Sequence, residues 1–196
     1  FLSTLFIMGG ISVVFVPLFS EYSRKGSREA WEFTNNLLNI VALMLVLFAV
    51  LAFLLAPLLI NLIVSGFSPE QKTATVALTR LMLVSPILFG ISAIFSGVLQ
   101  YFQKFLAYSL APVLYNLGII AGILFLYPVF GMVGLGLGVL GGAVLHVAIQ
   151  IPAALQSGFR WQPIVRFRHP SIMRALGLAF PRTIAAAGYH INLLVV

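Results

Sequence analysis

The sequence predicts an all-α polytopic membrane protein, and three observations lead to this fold class. Hydrophobic residues make up 61% of the chain and charged residues 8%, so a water-soluble fold would lack the polar side chains to cover its surface. Six apolar segments are each near or above the roughly 20 residues that a helix needs to cross a bilayer. The alternation typical of a membrane β-barrel is absent from these segments. Their backbone groups must therefore pair within helices.

The first three predicted helices cover about 1–20, 33–65 and 74–102. A charged loop at 21–32 separates the first two helices. The segment "SGFSPEQK" at 65–72 then offers Ser68 as N-cap, Pro69 as the first helical residue and Gln71 three residues after the cap. This spacing is that of a capping box, in which side chains satisfy the free N–H groups at a helix start.

The other three predicted helices cover about 108–128, 131–155 and 172–196. The turn "YPVFGMVG" at 127–134 is short and rich in Pro and Gly, so the fourth and fifth helices are predicted to be antiparallel neighbours. The basic segment 156–171 indicates a linker between two bundles, with 1–155 as the first bundle and 172–196 as the first helix of the second. Both ends of the sequence fall within apolar runs, so we expect a fragment of a longer membrane protein.

The distribution of cations predicts the orientation of the helices. Nine of the eleven Lys and Arg residues lie on one side of the alternating topology, which the positive-inside bias assigns to the cytoplasm. These nine are Arg24, Lys25, Arg28, Lys104, Arg160, Arg166, Arg168, Arg174 and Arg182. The segments 21–32, 103–107 and 156–171 are therefore expected to be cytoplasmic. Because the cations lie between apolar runs, we expect membrane lipids as partners and no nucleic acid.

Catalytic and metal sites are not expected. The sequence has no Asp and no Cys, and its four Glu residues lie in loops or at helix ends. Carboxylate pairs for acid–base catalysis and clusters of metal ligands are therefore missing. The three histidines are scattered along the chain, at positions 146, 169 and 190. We predict that the chain is not an enzyme and that it uses no metal or cofactor.

Polar residues inside the apolar segments are the candidate functional residues, because a polar group facing lipid is costly. Arg80 lies in the third segment, where it can extend to the interface or reach an internal anion. Tyr115 and Asn116 lie midway along the fourth segment, where they can bond to another helix or line a cavity. His146 and Gln150 are four residues apart in the fifth segment and can form one polar stripe.

Prolines and glycines predict where helices bend and approach one another. Pro86 and Pro112 lie within apolar runs, where each removes a backbone donor and favours a kink. Gly134, Gly138 and Gly142 recur every four residues, which gives one helix face that a neighbouring helix can approach closely.

Four motifs together resemble the MurJ (MviN) family, the bacterial lipid II flippases of the multidrug/oligosaccharidyl-lipid/polysaccharide exporter superfamily. They are "ISVVFVPLFSEY" (11–22), "GVLQYFQKF" (97–105), "LAPVLYNLGII" (110–120) and "GGAVLHVAIQIPAAL" (141–155). The family pattern corresponds here to Phe15, Pro17, Glu21, Tyr22, Gly97, Leu99, Gln100, Lys104, Phe105, Ala111, Pro112 and Asn116. The motifs occur in the family's order, and the similarity runs across essentially all of residues 1–196.

The resemblance implies that the chain holds the second to the start of the seventh of about fourteen helices. Similar proteins move lipid-linked peptidoglycan precursor across the cytoplasmic membrane by alternating access between two bundles. Their central cavity is cationic and holds the pyrophosphate. In similar proteins, one of the arginines of the cavity comes from a position that falls near Ser3 or Thr4 in this chain. No arginine precedes Arg24 here. The resemblance therefore assigns no arginine of this chain to the cavity.

The leading hypothesis is a flippase for lipid-linked peptidoglycan precursor in the bacterial inner membrane, acting in cell wall biogenesis. Its expected partners are a lipid-linked oligosaccharide or pyrophosphate substrate, membrane lipids and cell-wall synthesis proteins. One alternative is another exporter of the superfamily, for a different lipid-linked oligosaccharide or for a drug or cation. A second alternative is a membrane scaffold without transport activity, in which the polar residues lock helices together and the basic linker binds partners.

Overall fold

A computed structural model describes residues 12–179 of the chain, and helices are the regular elements of this part. The helices are α1 (Ser12–Lys25), α2 (Ser27–Ile63), α3 (Pro69–Met82), α4 (Val84–Tyr101), α5 (Phe105–Ala121), α6 (Tyr127–Phe130), α7 (Met132–Ala148), α8 (Gln150–Gln156) and α9 (170–179). A π-helical turn, Gly122–Leu126, joins α5 to α6. Since residues 12–179 contain no strand, the predicted all-α class is confirmed. The outer parts of the first and sixth predicted segments lie outside the described residues, as do Ser3 and Thr4.

Four stretches of the described chain are long and apolar enough to cross a membrane. They are Ser27–Ile63, Pro69–Tyr101, Phe105–Phe130 and Met132–Gln156. They correspond to the second to fifth predicted segments, which are thereby confirmed as helices long and apolar enough to span a membrane. In the most apolar part of Ser27–Ile63 only 6% of the residues are buried, as expected for a helix whose surroundings are largely lipid.

The predicted loop at 21–32 is wrong, because helix occupies nearly all of it. α1 continues to Lys25 and α2 begins at Ser27, so Gly26 alone interrupts the helix. The charged residues here are good helix formers, and Arg28 pairs with Glu32 one turn on, at 3.0 Å. Gly26 has a φ of +158°, a conformation that is essentially restricted to glycine. A single glycine therefore makes the turn that composition alone assigned to twelve residues.

The predicted capping box at the start of the third segment is confirmed. Ser68 accepts a hydrogen bond from the backbone N–H of Gln71, and the Gln71 side chain accepts one from the Ser68 N–H. The helix therefore starts at Pro69, five residues before the apolar run at 74. The turn at 127–134 is also shorter than predicted, since helix continues to Phe130 and Gly131, at φ +57°, makes the break.

The first of two compact units contains the described residues 12–42, 90–108 and 150–179. Its core is aromatic and aliphatic, with Phe15, Phe19, Ile94 and Leu99 almost completely buried. The Phe15 ring lies directly against Gly97, where a Cβ atom would overlap it. Two of the sequence motifs, far apart in the chain, thus meet in this core.

The second unit contains residues 43–89 and 109–149. In it α5 and α7 are antiparallel, as predicted, and glycine lies against glycine along their contact. A Cβ atom on Gly118 would overlap the backbone of Gly142, and one on Gly122 would overlap that of Gly138. Further along, Gly134 lies against the carbonyl group of Leu126. The two helices therefore pack at backbone distance, without intervening side chains.

Candidate functional site

Three ring side chains of the second unit form the candidate site, contributed by α4, α5 and α7. The ring centroid of Phe89 lies 5.2 Å from that of Tyr115 and 5.2 Å from that of His146, with edge-to-face geometry in both cases. The Tyr115 and His146 centroids are 6.4 Å apart. All three side chains are half-buried. Two of the five predicted site residues are thus neighbours, and the third member, Phe89, was not predicted.

The close packing of α5 and α7 explains why Tyr115 and His146 meet. Gly142 lies against the carbonyl oxygen and the ring of Tyr115, and a Cβ atom at this position would overlap them. His146 follows one turn later on α7, so its ring reaches the ring of Tyr115. The glycine face therefore does more than join two helices, because it sets the distance between the polar groups of the site.

Asn116 is the neighbour of Tyr115 on α5, and its side chain is exposed. It follows Pro112 by one turn. Proline cannot donate the helical hydrogen bond to the carbonyl group four residues earlier, although α5 continues through it to Ala121. An exposed amide in an apolar span is costly unless water, a headgroup or another polypeptide segment binds it. Asn116 therefore remains a candidate for contact with a polar molecule.

Arg80 has a structural partner within the second unit. Its Nε donates a 3.1 Å hydrogen bond to the carbonyl oxygen of Phe53, and its guanidinium lies 4.4 Å from the Phe53 ring centroid. Pro57 stands four residues after Phe53 in α2, so this carbonyl lacks its helical donor. Arg80 thus satisfies a carbonyl group that a proline leaves free.

Gln150 lies in the first unit and is completely buried. Its Nε2 donates to Ser92 Oγ at 2.6 Å, and its Oε1 accepts from Ser96 Oγ at 2.9 Å. The amide of Gln150 thus joins α8 to α4, and the polar stripe of His146 and Gln150 stays a prediction. A fully buried amide with these bonds is unsuited to lining an open cavity.

Pro86, the other predicted kink residue, is the third residue of α4. The helix is interrupted just before it, between Met82 and Val84, with Leu83 capping α3. This interruption lies within the stretch Pro69–Tyr101 that is long enough to span the membrane. Phe89 follows Pro86 by three residues, so the site ring from α4 lies close to the interruption.

A cluster of three asparagines in the first part of α2 was not predicted from the sequence. Asn35, Asn36 and Asn39 bind the backbone of the segment 160–166 in the first unit. The signal was present, since "TNNLLN" (34–39) places three amides in the first turns of an apolar helix. The pattern alone does not reveal the role of these amides, because their partners are backbone groups distant in sequence.

The site offers hydrogen bonding and ring surfaces. Tyr115 has a hydroxyl group, His146 an imidazole and Asn116 an amide, which can bind the hydroxyl and amide groups of a sugar or peptide. Within residues 12–179 there is no group of three or more His, Asp or Glu residues arranged to hold a metal ion. The arrangement thus suits contact with a polar molecule.

Comparisons with known proteins agree on one family. A family model described as lipid II flippase MurJ matches residues 1–196. The probable lipid II flippase MurJ of Treponema pallidum is 27% identical over 97% of this chain and 38% of its own length. The lipid II flippase MurJ of Thermosipho africanus is 33% identical over 74% of this chain and 30% of its own length.

A solved structure shares the fold as well. A lipid II flippase MurJ in an inward closed conformation is similar with a TM-score of 0.76 and 25% identity, over 99% of this chain and 40% of that one. The chain therefore spans well under half the length of the relatives that it matches.

Proposed function

Because this chain belongs to the lipid II flippase MurJ family, we propose that it forms part of a flippase that moves lipid-linked peptidoglycan precursor across the bacterial inner membrane. The observation that carries the proposal is the match of the family model to all 196 residues, supported by the shared fold at a TM-score of 0.76. Proteins of this family are flippases and not enzymes. Like them, the chain is a multi-pass protein of the inner membrane, and lipids are its surroundings.

In this proposal transport proceeds by alternating access, with two helix bundles opening in turn to the two sides of the membrane. Tyr115, Asn116 and His146 contact the polar headgroup by hydrogen bonds, and Phe89 keeps the two site rings in place. The lipid tail stays among apolar surfaces. Arg80 and Gln150 take structural roles instead, because Arg80 Nε and the amide group of Gln150 are already bound within the protein.

The cations that hold the pyrophosphate are proposed to come from outside the second unit. Lys72 and Arg80 are the Lys and Arg residues in 43–89 and 109–149, and Arg80 is bonded to Phe53. Lys72 lies in the first turn of α3, close to the start of the helix. The basic segments around Gly26, at 103–104 and at 157–169 are proposed to face the cytoplasm, where cell-wall synthesis proteins are the expected partners.

Depletion of the full-length protein tests the function in cells. We expect precursor to accumulate in the inner leaflet and to disappear from the outer leaflet, measured by labelling precursor that is accessible from outside. Normal arrival in the outer leaflet would contradict the flippase and favour a scaffold. Unchanged flipping, together with a lost ion or drug gradient, would favour an antiporter.

Single substitutions in the full-length protein test the site. Asn116→Ala and His146→Ala are expected to reduce flipping at unchanged expression, because each removes a hydrogen-bonding group that the headgroup uses. Asn61→Ala is a matched control, since Asn61 is also an exposed amide in an apolar helix. Full flipping by both site variants would overturn the assignment of these residues without overturning the flippase.

A further inference from the structure

The segment 160–166 lies alongside the first part of α2 and is bound to it through backbone groups. Asn35 Oδ1 accepts the N–H of Gln162 at 2.8 Å, and Asn35 Nδ2 donates to the carbonyl oxygen of Arg160 at 3.0 Å. Asn36 binds both backbone groups of Arg166, accepting its N–H at 2.7 Å and donating to its carbonyl oxygen at 3.1 Å. Both asparagines are almost completely buried. The amides thus replace the pairing that a neighbouring strand would give an extended segment.

Asn39 completes this binding one turn further along α2. Its Nδ2 donates to the carbonyl oxygens of Gln162 at 2.7 Å and Ile164 at 3.0 Å. Its Oδ1 accepts the indole N–H of Trp161 at 3.0 Å. The side chains of Trp161 and Gln162 are themselves exposed. Backbone groups therefore provide most of the contacts, and the path of the segment depends little on its own side chains.

Both ends of the segment are fixed within the first unit as well. At the entry, Gly158, at φ +100°, lies against the indole ring of Trp31. At the exit, the backbone carbonyl of His169 accepts the N–H groups of Ile172 at 2.9 Å and Met173 at 3.1 Å, which begins α9. The helix therefore starts at residue 170, shortly after the bound segment ends at 166.

We propose that Asn35, Asn36 and Asn39 hold residues 157–169 as a rigid strut that fixes the position of α9 relative to α2, and that transport depends on this coupling. The dependence on transport rests on the proposed flippase function. Buried amides that bind backbone groups keep one register, because leaving any of these groups unpaired in the interior costs free energy. A flexible connecting segment would not transmit the displacement of one helix to the next, whereas a rigid segment does. The three asparagines are thus positioning residues that act without touching substrate.

Distances between spin labels in the full-length protein test the strut. Labels are placed at Ser27→Cys in α2 and Met173→Cys in α9, both exposed positions, in a version whose native cysteines, if any, are replaced. The intact strut is expected to give one narrow distance distribution. The double variant Asn36→Ala/Asn39→Ala is expected to broaden it and to lose most of the flipping activity, while Asn61→Ala is expected to change neither.

A second variant leaves every asparagine in place. Two glycines inserted between Gln162 and Pro163 move one half of the segment out of register, and we expect the same broadening and the same loss. This variant removes no buried side chain, so it decides the proposal even if the double alanine variant fails to fold.

The strut is overturned if the distribution stays narrow, or if it broadens while flipping remains normal. Wild-type protein without flipping activity would instead refute the proposed function, and the distance distribution would still decide whether the segment is rigid.

Discussion

At the residue scale, Arg80 and Pro57 form a dependent pair through the carbonyl group of Phe53. Arg80→Met is expected to destabilise the protein by about 1 kcal/mol, because it leaves this carbonyl without a donor. Pro57→Ala restores the N–H that α2 lacks at this point. In the Pro57→Ala background, Arg80→Met is therefore expected to cost much less. Thermal unfolding of the four proteins in detergent gives the interaction energy of the pair.

Equal costs of Arg80→Met in both backgrounds would contradict this pairing. Flipping gives an independent check, because a structural role predicts that Arg80→Met keeps its activity at normal expression. A complete loss of flipping in stably folded Arg80→Met protein would instead favour the original prediction that Arg80 contacts the substrate.

Glu21, which the sequence motif singles out, is paired with Arg174 of α9 in the first unit. Arg174 Nη1 donates to both carboxylate oxygens at 2.7 Å, and this hydrogen bond is the main reason why the pKa of Glu21 is lowered from its usual 4.5. A lowered pKa means that the folded state favours the carboxylate. The pair therefore contributes to stability above the unfolded pKa, and the contribution is lost as pH falls through the lower, folded pKa.

Arg174→Gln is accordingly expected to lower the thermal midpoint at pH 7, and this effect is expected to diminish as the pH falls through the lowered folded pKa of Glu21. Unfolding followed by tryptophan fluorescence over this pH range measures the difference. Lys25→Gln is the matched control, since Lys25 is 3.6 Å from Glu21 and is a weaker cause of the pKa shift. The expectation is wrong if the two variants behave alike at pH 7, or if the effect of Arg174→Gln is independent of pH.

At the element scale, the contact between α5 and α7 depends on particular glycines of one helix. Gly142→Ala is expected to destabilise the protein by about 1–3 kcal/mol, because the new methyl group meets the Tyr115 backbone and the helices must separate. Gly141→Ala is the control, since nothing lies within 4 Å of a Cβ atom there. Alanine favours helix over glycine, so this variant is expected to gain up to about 1 kcal/mol.

Thermal unfolding compares the two glycine variants directly. Flipping adds a second test, because separating α5 from α7 also moves His146 away from Tyr115. A Gly142→Ala protein as stable as Gly141→Ala would show that the glycine contact is not close.

The helices were predictable from the sequence to the extent that local patterns determine them. The apolar runs gave the four spans, and the Ser68–Gln71 spacing gave a capping box. The helical segment around Gly26 was missed, because charge suggested a loop while helix propensity and pairing one turn apart favour helix.

The candidate site was less predictable, because it depends on contacts between distant parts of the chain. A buried amide such as Gln150 and an arginine such as Arg80 look the same in sequence whether they bind substrate or another helix. Pro57 shows that the carbonyl oxygen of Phe53 lacks its helical donor. Nothing in the local sequence indicates that Arg80, 27 residues later, supplies the missing hydrogen bond. The glycine repeat did indicate a close helix contact, and from it the position of His146 relative to Tyr115 follows.

At the scale of the whole molecule, the alternating spans and the charge distribution together predict which segments lie on each side of the membrane. Gly26, Lys104 and the strut 157–169 are expected to lie on the cytoplasmic side, since nine of the eleven Lys and Arg residues belong to these connections or the ends adjoining them. The connections at 64–68 and at Gly131 are expected on the opposite side. The chain contains no cysteine, so in a full-length protein whose other cysteines, if any, are replaced, a single introduced cysteine reports on one position.

Gln162→Cys and Phe67→Cys test this orientation in the full-length protein, because both positions are exposed and lie on opposite predicted sides. In intact cells, after removal of the outer membrane barrier, a membrane-impermeant maleimide is expected to label Phe67→Cys and to leave Gln162→Cys unlabelled until the inner membrane is opened. This result requires an odd number of spans between Phe67 and Gln162. The single span α2 separates Phe67 from Gly26, which is expected on the same side as Gln162. Labelling of Gln162→Cys from outside would reverse the predicted orientation and place the strut, with its arginines, on the outer side of the membrane.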